Sequence, residues 1–282
     1  MNNNHTYRSQ DNYIFQDNDK SQNYTLQDNG VSQNNDRIQD NDGVALASRF
    51  SYITNALNYC GPSDGHKDFY NYLTKKSPEL KKKIGDAIKK FEALYPYLKF
   101  IAQKTGRNYL DHSVVEAYWL GNELLEKFDE KDMKEIVAYL IEKGLPKSMA
   151  EKLIENMPSG AIPFHMFHVM YVGVGNVTGH VKTTLQNMDN CRISCGKVIQ
   201  VIDDKLIVHT DALAKTDDKY YLEDNETKTI VFSPAMLEGL KLGDYVAIHW
   251  GFACKILTLK EKENLVKYTN KTLSIINGVA DR

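Results

Sequence analysis

Lys197-Val198-Ile199-Gln200-Val201-Ile202 and Leu206-Ile207-Val208-His209-Thr210 flank the pair Asp203-Asp204. Both runs are rich in β-branched residues, and the acidic pair between them is a turn signal. They read as two short strands joined by a tight connection. The same pattern returns at Lys219 to Leu222, Thr229 to Phe232 and Tyr245 to Leu257, with joints at Asp217-Asp218, Asp224-Asn225 and Gly243-Asp244. Lys260 to Ile276 then carries apolar residues at helical spacing. Five short strands closed by a helix predict a small, OB-like β-barrel over residues 187–282.

Upstream of this segment the period is helical, so the fold class is α+β. Ala45 to Leu57 reads as a helix stopped by Asn58-Tyr59-Cys60-Gly61-Pro62. Pro78 to Lys104 reads as a long helix that Pro96 kinks or divides. Asp111 is a candidate cap for a helix reaching Phe128, and shorter helices are expected over Asp132 to Lys143 and Pro146 to Asn156. Pro158 to Leu185, rich in Val, Phe and Gly, reads as mixed structure. A mainly helical domain is therefore expected over residues 45–186.

Residues 1–44 differ from the rest. They hold ten Asn, seven Asp and six Gln, and the triplet Gln-Asp-Asn recurs from Gln10, Gln16, Gln27 and Gln39. So little apolar surface cannot offset the entropy of ordering, and the segment reads as a disordered tail.

Over the 282 residues, 35 Lys and Arg balance 37 Asp and Glu, for a formal charge of -2. No basic field exists to hold a nucleic-acid backbone or an anionic membrane. No apolar run is long enough to span a bilayer, and the polar N-terminus is no signal peptide, so a cytoplasmic protein is expected. The four cysteines (Cys60, Cys191, Cys195 and Cys254) do not make a disulfide framework.

Two motifs carry a resemblance. The first is Cys191-Arg192-Ile193-Ser194-Cys195-Gly196-Lys197-Val198. The second is Gly243-Asp244-Tyr245-Val246-Ala247-Ile248-His249-Trp250-Gly251-Phe252-Ala253. In order and spacing they resemble the HypC/HupF family of hydrogenase-maturation chaperones. The resemblance covers about the last third of the chain. It implies a barrel with a C-terminal helix, a functional thiol at Cys191 and an iron-handling histidine at His249. It also implies protein partners, namely a maturation scaffold or a metalloenzyme precursor. The chain departs from the family in two ways: its thiol follows 190 residues rather than opening the chain, and Cys195 stands where the family has proline. As a whole the chain resembles an uncharacterised bacterial family in which a helical domain precedes such a barrel.

The chemistry of these residue types agrees, since a soft thiolate and an imidazole both suit iron. Cys195 would share a metal with Cys191 only if the segment bends, because on an extended strand the two lie about 13 Å apart. His165 and His168 form an HxxH pair that shares a face only on a helix, and His180 would complete a three-histidine set or a Cys-His site with Cys191. Cys60 is a thiol on a turn. Asp111, His112 and Glu116 would form an acid-base group, although a helix start explains Asp111 more simply. Each candidate has a plainer reading as a buried cysteine or a structural histidine.

Three functions are therefore on the table. The first is an accessory protein of metalloenzyme assembly, with [NiFe]-hydrogenase as the expected client and no catalysis of its own. The second is a metal- or thiol-dependent enzyme with a site between the domains. The third is an interaction module without chemistry.

Overall fold

The computed structural model describes residues 41–279. The expected tail lies almost wholly outside this range. Gly43–Ala56 forms α1, capped by Asp42, whose Oδ1 accepts from the Val44 and Ala45 amides. This helix is buried on nearly every side, as its run of Val, Ala, Leu, Phe and Ile predicts for an element at the centre of a fold. It packs on α2 (Gly65–Lys75), α3 (Pro78–Ile88) and α5 (His112–Trp119), and also on two barrel strands. α2 was not foreseen in the sequence.

The expected helix over Pro78 to Lys104 is two helices, α3 and α4 (Leu94–Thr105). The break falls at residues 89–93, ahead of Pro96. Pro96 sits in the first turn of α4, where a missing amide proton costs nothing. The helix expected from Asp111 to Phe128 stops at Trp119, because Gly121 adopts a φ of 82°. A 3-10 turn at Glu123–Lys127 follows. α6 (Glu130–Leu140) starts two residues earlier than expected, at a capping box of Asp129 and Asp132. α7 spans Lys147–Glu155, and the mixed segment contains the short helix α8 (His165–Phe167) running into a π-turn at His168–Gly173. Leu185–Cys191 is helical and forms α9.

The barrel is closed in the order β1 (Ser194–Ile202), β2 (Lys205–Thr216), β3 (Lys219–Val231), β5 (Phe252–Ile256), β4 (Tyr245–His249). Its strands number five, as expected, but they are cut differently. The runs at Lys219 and Thr229 are one strand. The run from Tyr245 to Leu257 is two strands, folded back at Trp250 and Gly251. β2 and β3 are joined by Asp217-Asp218, both at positive φ (48° and 63°), as a primed hairpin turn requires. α10 (Leu259–Ile276) closes the chain with a Thr258 and Glu261 capping box.

Val198, Leu206, Val208, Ile230, Val246 and Ile248 fill the barrel. A second and larger apolar core is shared. Phe50, Trp119 and Phe164 of the helical part pack in one cluster with Ala247, Phe252, Cys254 and Leu257 of the barrel and Tyr268 of α10. Gly121 is required at this seam, because a Cβ there would lie 2.2 Å from the Tyr268 ring. The Tyr268 hydroxyl donates to Glu126 Oε1 at 3.0 Å, and Lys271 reaches Glu126 Oε2 at 2.8 Å. Helices and barrel thus bury a common surface, and the seam between them holds the site described next.

Candidate functional site

Cys191 is the last residue of α9, not a strand residue, so its thiol is aimed by a helix end. The position is fixed from behind by Arg192, 1% exposed, whose Nε donates to Asp189 Oδ1 at 2.9 Å. His249 is the last residue of β4. Trp250 follows at a φ of 49°, unusual for a bulky side chain, and its amide donates to the Asn190 carbonyl at 2.7 Å. That bond ties the end of β4 to the end of α9 and brings the two motifs together. His165 opens α8 from the helical part.

The ligand atoms of His165, Cys191 and His249 all lie within 4.8 Å of one another. Cys191 Sγ is 3.9 Å from His165 Nε2, and the two imidazole centroids are 5.4 Å apart. Trp119 packs on both rings, at 4.5 Å from His165 and 5.5 Å from His249. The group lines a cavity of about 70 Å³, which also receives Cys60 and His168. Half-buried Tyr59 and Trp250, their rings 4.5 Å apart, also line it.

The hydrogen bonds settle the tautomers. His249 Nδ1 is 3.1 Å from the Phe50 carbonyl, so it carries the proton. Its Nε2 is then a bare lone pair, buried and without a hydrogen-bond partner. This is how a metal-ligating histidine is commonly held, with its far nitrogen donating to a carbonyl. His165 Nε2 donates to the Cys191 carbonyl at 2.9 Å, while Nδ1 accepts from the Tyr118 hydroxyl at 3.0 Å. To ligate through Nε2 it must release that carbonyl and take the other tautomer. Tyr118 permits this, because a hydroxyl can accept as well as donate. His168 Nδ1 is held by the Tyr97 hydroxyl at 3.1 Å.

Burial dominates the electrostatics. It pushes His165 down to about 4 and His168 down to about 3. His249 is also lowered, by burial first and then by His165. The thiols move the other way. Cys60 is raised to about 12 by burial, and Cys191 is raised by burial and then by Cys60, against a hydrogen bond from Trp250. Neutral imidazoles beside neutral thiols cannot act as a thiolate–imidazolium nucleophile. The same groups suit a cation, which takes neutral imidazole as it stands and displaces the thiol proton.

These histidines make stability sensitive to acid. Unfolded, they would take up protons near pH 6.5, while His165 and His168 in the fold resist until about pH 4 and about pH 3. Their neutral burial therefore costs nothing above pH 6.5, and stability falls as the pH drops below it. The expected loss is roughly 2 kcal/mol per histidine by pH 5. Thermal melts of the metal-free protein from pH 7.5 to 5 will show it, and a flat melting temperature across that range would disprove it.

The remaining candidates do not join this group. His180 is exposed on the loop after the π-turn and does not line the cavity. Cys195 lies on β1 and lines a smaller, separate cavity with Arg192 and Asp211, so it does not share a site with Cys191. Asp111 sits at the start of α5 without a side-chain cap bond, its Oδ2 accepting from the Asn108 amide. Glu116 accepts from Asn122 Nδ2 at 2.7 Å, on the α5 side facing Glu261 rather than the cavity. Sequence reasoning missed Tyr118 and the Phe50 carbonyl, which set the two tautomers. Tyr118 reads as a core aromatic, and a backbone carbonyl has no sequence signal.

Residues 39–282 match the family model of DUF6390, a family of unknown function, and the chain belongs to that family. The match includes every residue of the cavity. No curated protein and no solved structure matches the chain. Among the described residues, no helix is long and apolar enough to cross a membrane.

Proposed function

We propose that this protein is an accessory factor of metalloenzyme assembly, which holds a transition-metal ion at Cys191, His249 and His165 and passes it to a partner protein. One observation carries the reading. The thiol and histidine of the two barrel motifs meet a third donor in one cavity, where the buried His249 Nε2 has no hydrogen-bond partner. The resemblance to hydrogenase-maturation chaperones makes iron the first candidate ion and a [NiFe]-hydrogenase precursor the first candidate client. Cargo of this kind needs a soft donor that releases as well as binds, which a half-buried thiol lining the cavity provides.

A thiol-dependent enzyme is disfavoured, because burial keeps Cys60 and Cys191 protonated and the histidines neutral.

The test is metal analysis of the protein purified without oxygen. About one iron per chain is expected, and cyanide or carbonyl infrared bands would mark it as hydrogenase cargo. Another metal at full occupancy would move the reading toward a metalloenzyme. Failure to retain or take up any transition metal would end it.

A further inference from the structure

A second thiol lines the cavity that holds the three donors already placed. Cys60 lies on the turn that follows α1, and that turn is pinned on both sides of it. The Tyr59 amide donates to the Thr54 carbonyl at 2.9 Å, and the Cys60 carbonyl accepts from Asn55 Nδ2 at 3.0 Å. The Gly61 amide donates to Glu92 Oε2 at 3.0 Å. Gly61 itself has a φ of 81°, and a Cβ there would lie 2.5 Å from the Phe91 ring. A side chain at residue 61 is thereby excluded, and the thiol next to it lines the cavity with Cys191 and both histidines. Cys60, Cys191, His165 and His249 all line this one cavity. His249, 1% exposed and with its Nε2 unpartnered, lines this same cavity.

We propose that Cys60 is the fourth donor of the centre, completing a two-cysteine, two-histidine set with Cys191, His165 and His249 around a divalent ion of the zinc or ferrous type. The inference rests on the metal-holding function proposed above and specifies its coordination. Cys60 is not among the three donors grouped within 4.8 Å, so binding draws its sulfur inward by rotation about the Cα–Cβ bond. Each thiol loses its proton to solvent as the ion enters, giving a neutral centre of two thiolates, two imidazoles and a dication. Four protein donors leave no open position for water, which is the arrangement of an ion that is held rather than one used for hydrolysis. It also sets the route of release. Three donors come from elements bound to one another, whereas Cys60 comes from a turn that meets the barrel through the Tyr59 and Trp250 rings.

Cobalt(II), titrated without oxygen into the metal-free full-length protein, reads the donors directly. Absorption from thiolate-to-cobalt charge transfer scales with the number of bound thiolates, and the visible bands report four-coordination. Cys60→Ser is expected to halve the charge-transfer absorption per bound cobalt and to weaken binding at least about tenfold. Cys60→His is expected to show the same halved absorption with tighter binding than the serine variant. In the unaltered protein, cobalt is expected to shield both Cys60 and Cys191 from alkylation, which keeps the test alive if a variant fails to fold. Charge transfer of equal intensity in Cys60→Ser, or shielding of Cys191 alone, would overturn the fourth donor and leave a three-donor site standing. Absence of any cobalt binding would overturn both readings together.

Discussion

Cys191→Ser is expected to lose the metal while keeping the fold. The thiol is the one soft donor of the three-donor group, and a serine hydroxyl neither ionises at neutral pH nor binds a soft ion comparably. Disturbing groups behind a metal ligand already costs about 10–100-fold in affinity, so removing the thiolate itself should cost at least about 100-fold. The fold should tolerate the change. Cys191 is only half-buried at the end of α9, and the chain there is held by the Trp250 amide bond to the Asn190 carbonyl, the Arg192 amide bond to the Met188 carbonyl and the His165 bond to the Cys191 carbonyl rather than by its sulfur. A stability loss near 1 kcal/mol, the ordinary size for a single substitution, is the expected cost. Cys195→Ser is the control, because that residue lines a separate cavity. Metal content measured after anaerobic purification, beside a urea melt, separates chemistry from folding. Equal metal in Cys191→Ser and the unaltered protein would remove Cys191 from the centre.

The barrel was legible because period-two alternation and acidic turn pairs act locally, within one hairpin at a time. The cutting of its strands was not. Trp250 takes a left-handed conformation that the flanking apolar run conceals, so β4 and β5 read as one strand. Most candidate site residues were also visible, since cysteine and histidine are scarce and chemically distinct. Their grouping was not, because Cys60, His165, Cys191 and His249 come from four separate segments, joined by the packing of α1 against β4, the packing of α9 against the His168–Gly173 turn and the Trp250 amide bond to Asn190. Spacing misled at Cys195 and His180, where nearness in sequence suggested a shared ion. The helix end at Cys191 turns the chain away before Cys195, and His180 lies on an exposed loop.

The residue that makes this turn, Arg192, carries the largest expected effect on stability. In the sequence it is a charged residue between Cys191 and Ile193, with nothing to set it apart. In the fold it is 1% exposed, and its guanidinium joins α9 to β2. Nε donates to Asp189 Oδ1 at 2.9 Å, and Nη2 donates to the Asp211 carbonyl at 3.0 Å and to Asp211 Oδ1 at 2.7 Å. Asp189 is held in turn by Lys228 at 2.8 Å and by the Leu213 amide at 2.8 Å. Removing one partner of a buried pair strands the other charge, at a cost of about 3–5 kcal/mol. Arg192→Met should fall at the lower end, because Asp189 keeps Lys228 and Asp211 is partly solvated. The penalty should also shrink in acid. Burial raises Asp189, but Arg192, Lys228 and the Leu213 amide together hold it below the usual carboxylate range. Its stabilising share is therefore present above about pH 4 and is lost as the pH falls through the folded value. Urea melts at pH 7 and pH 3 should show the difference between Arg192→Met and the unaltered protein narrowing. Adding Asp189→Asn to Arg192→Met should recover part of the loss at pH 7, since the stranded carboxylate is then gone. If Arg192→Met melts within 1 kcal/mol of the unaltered protein at pH 7, the guanidinium does not hold this corner. The aim of the Cys191 thiol would then have to come from the Trp250 to Asn190 bond and the His165 bond to the Cys191 carbonyl.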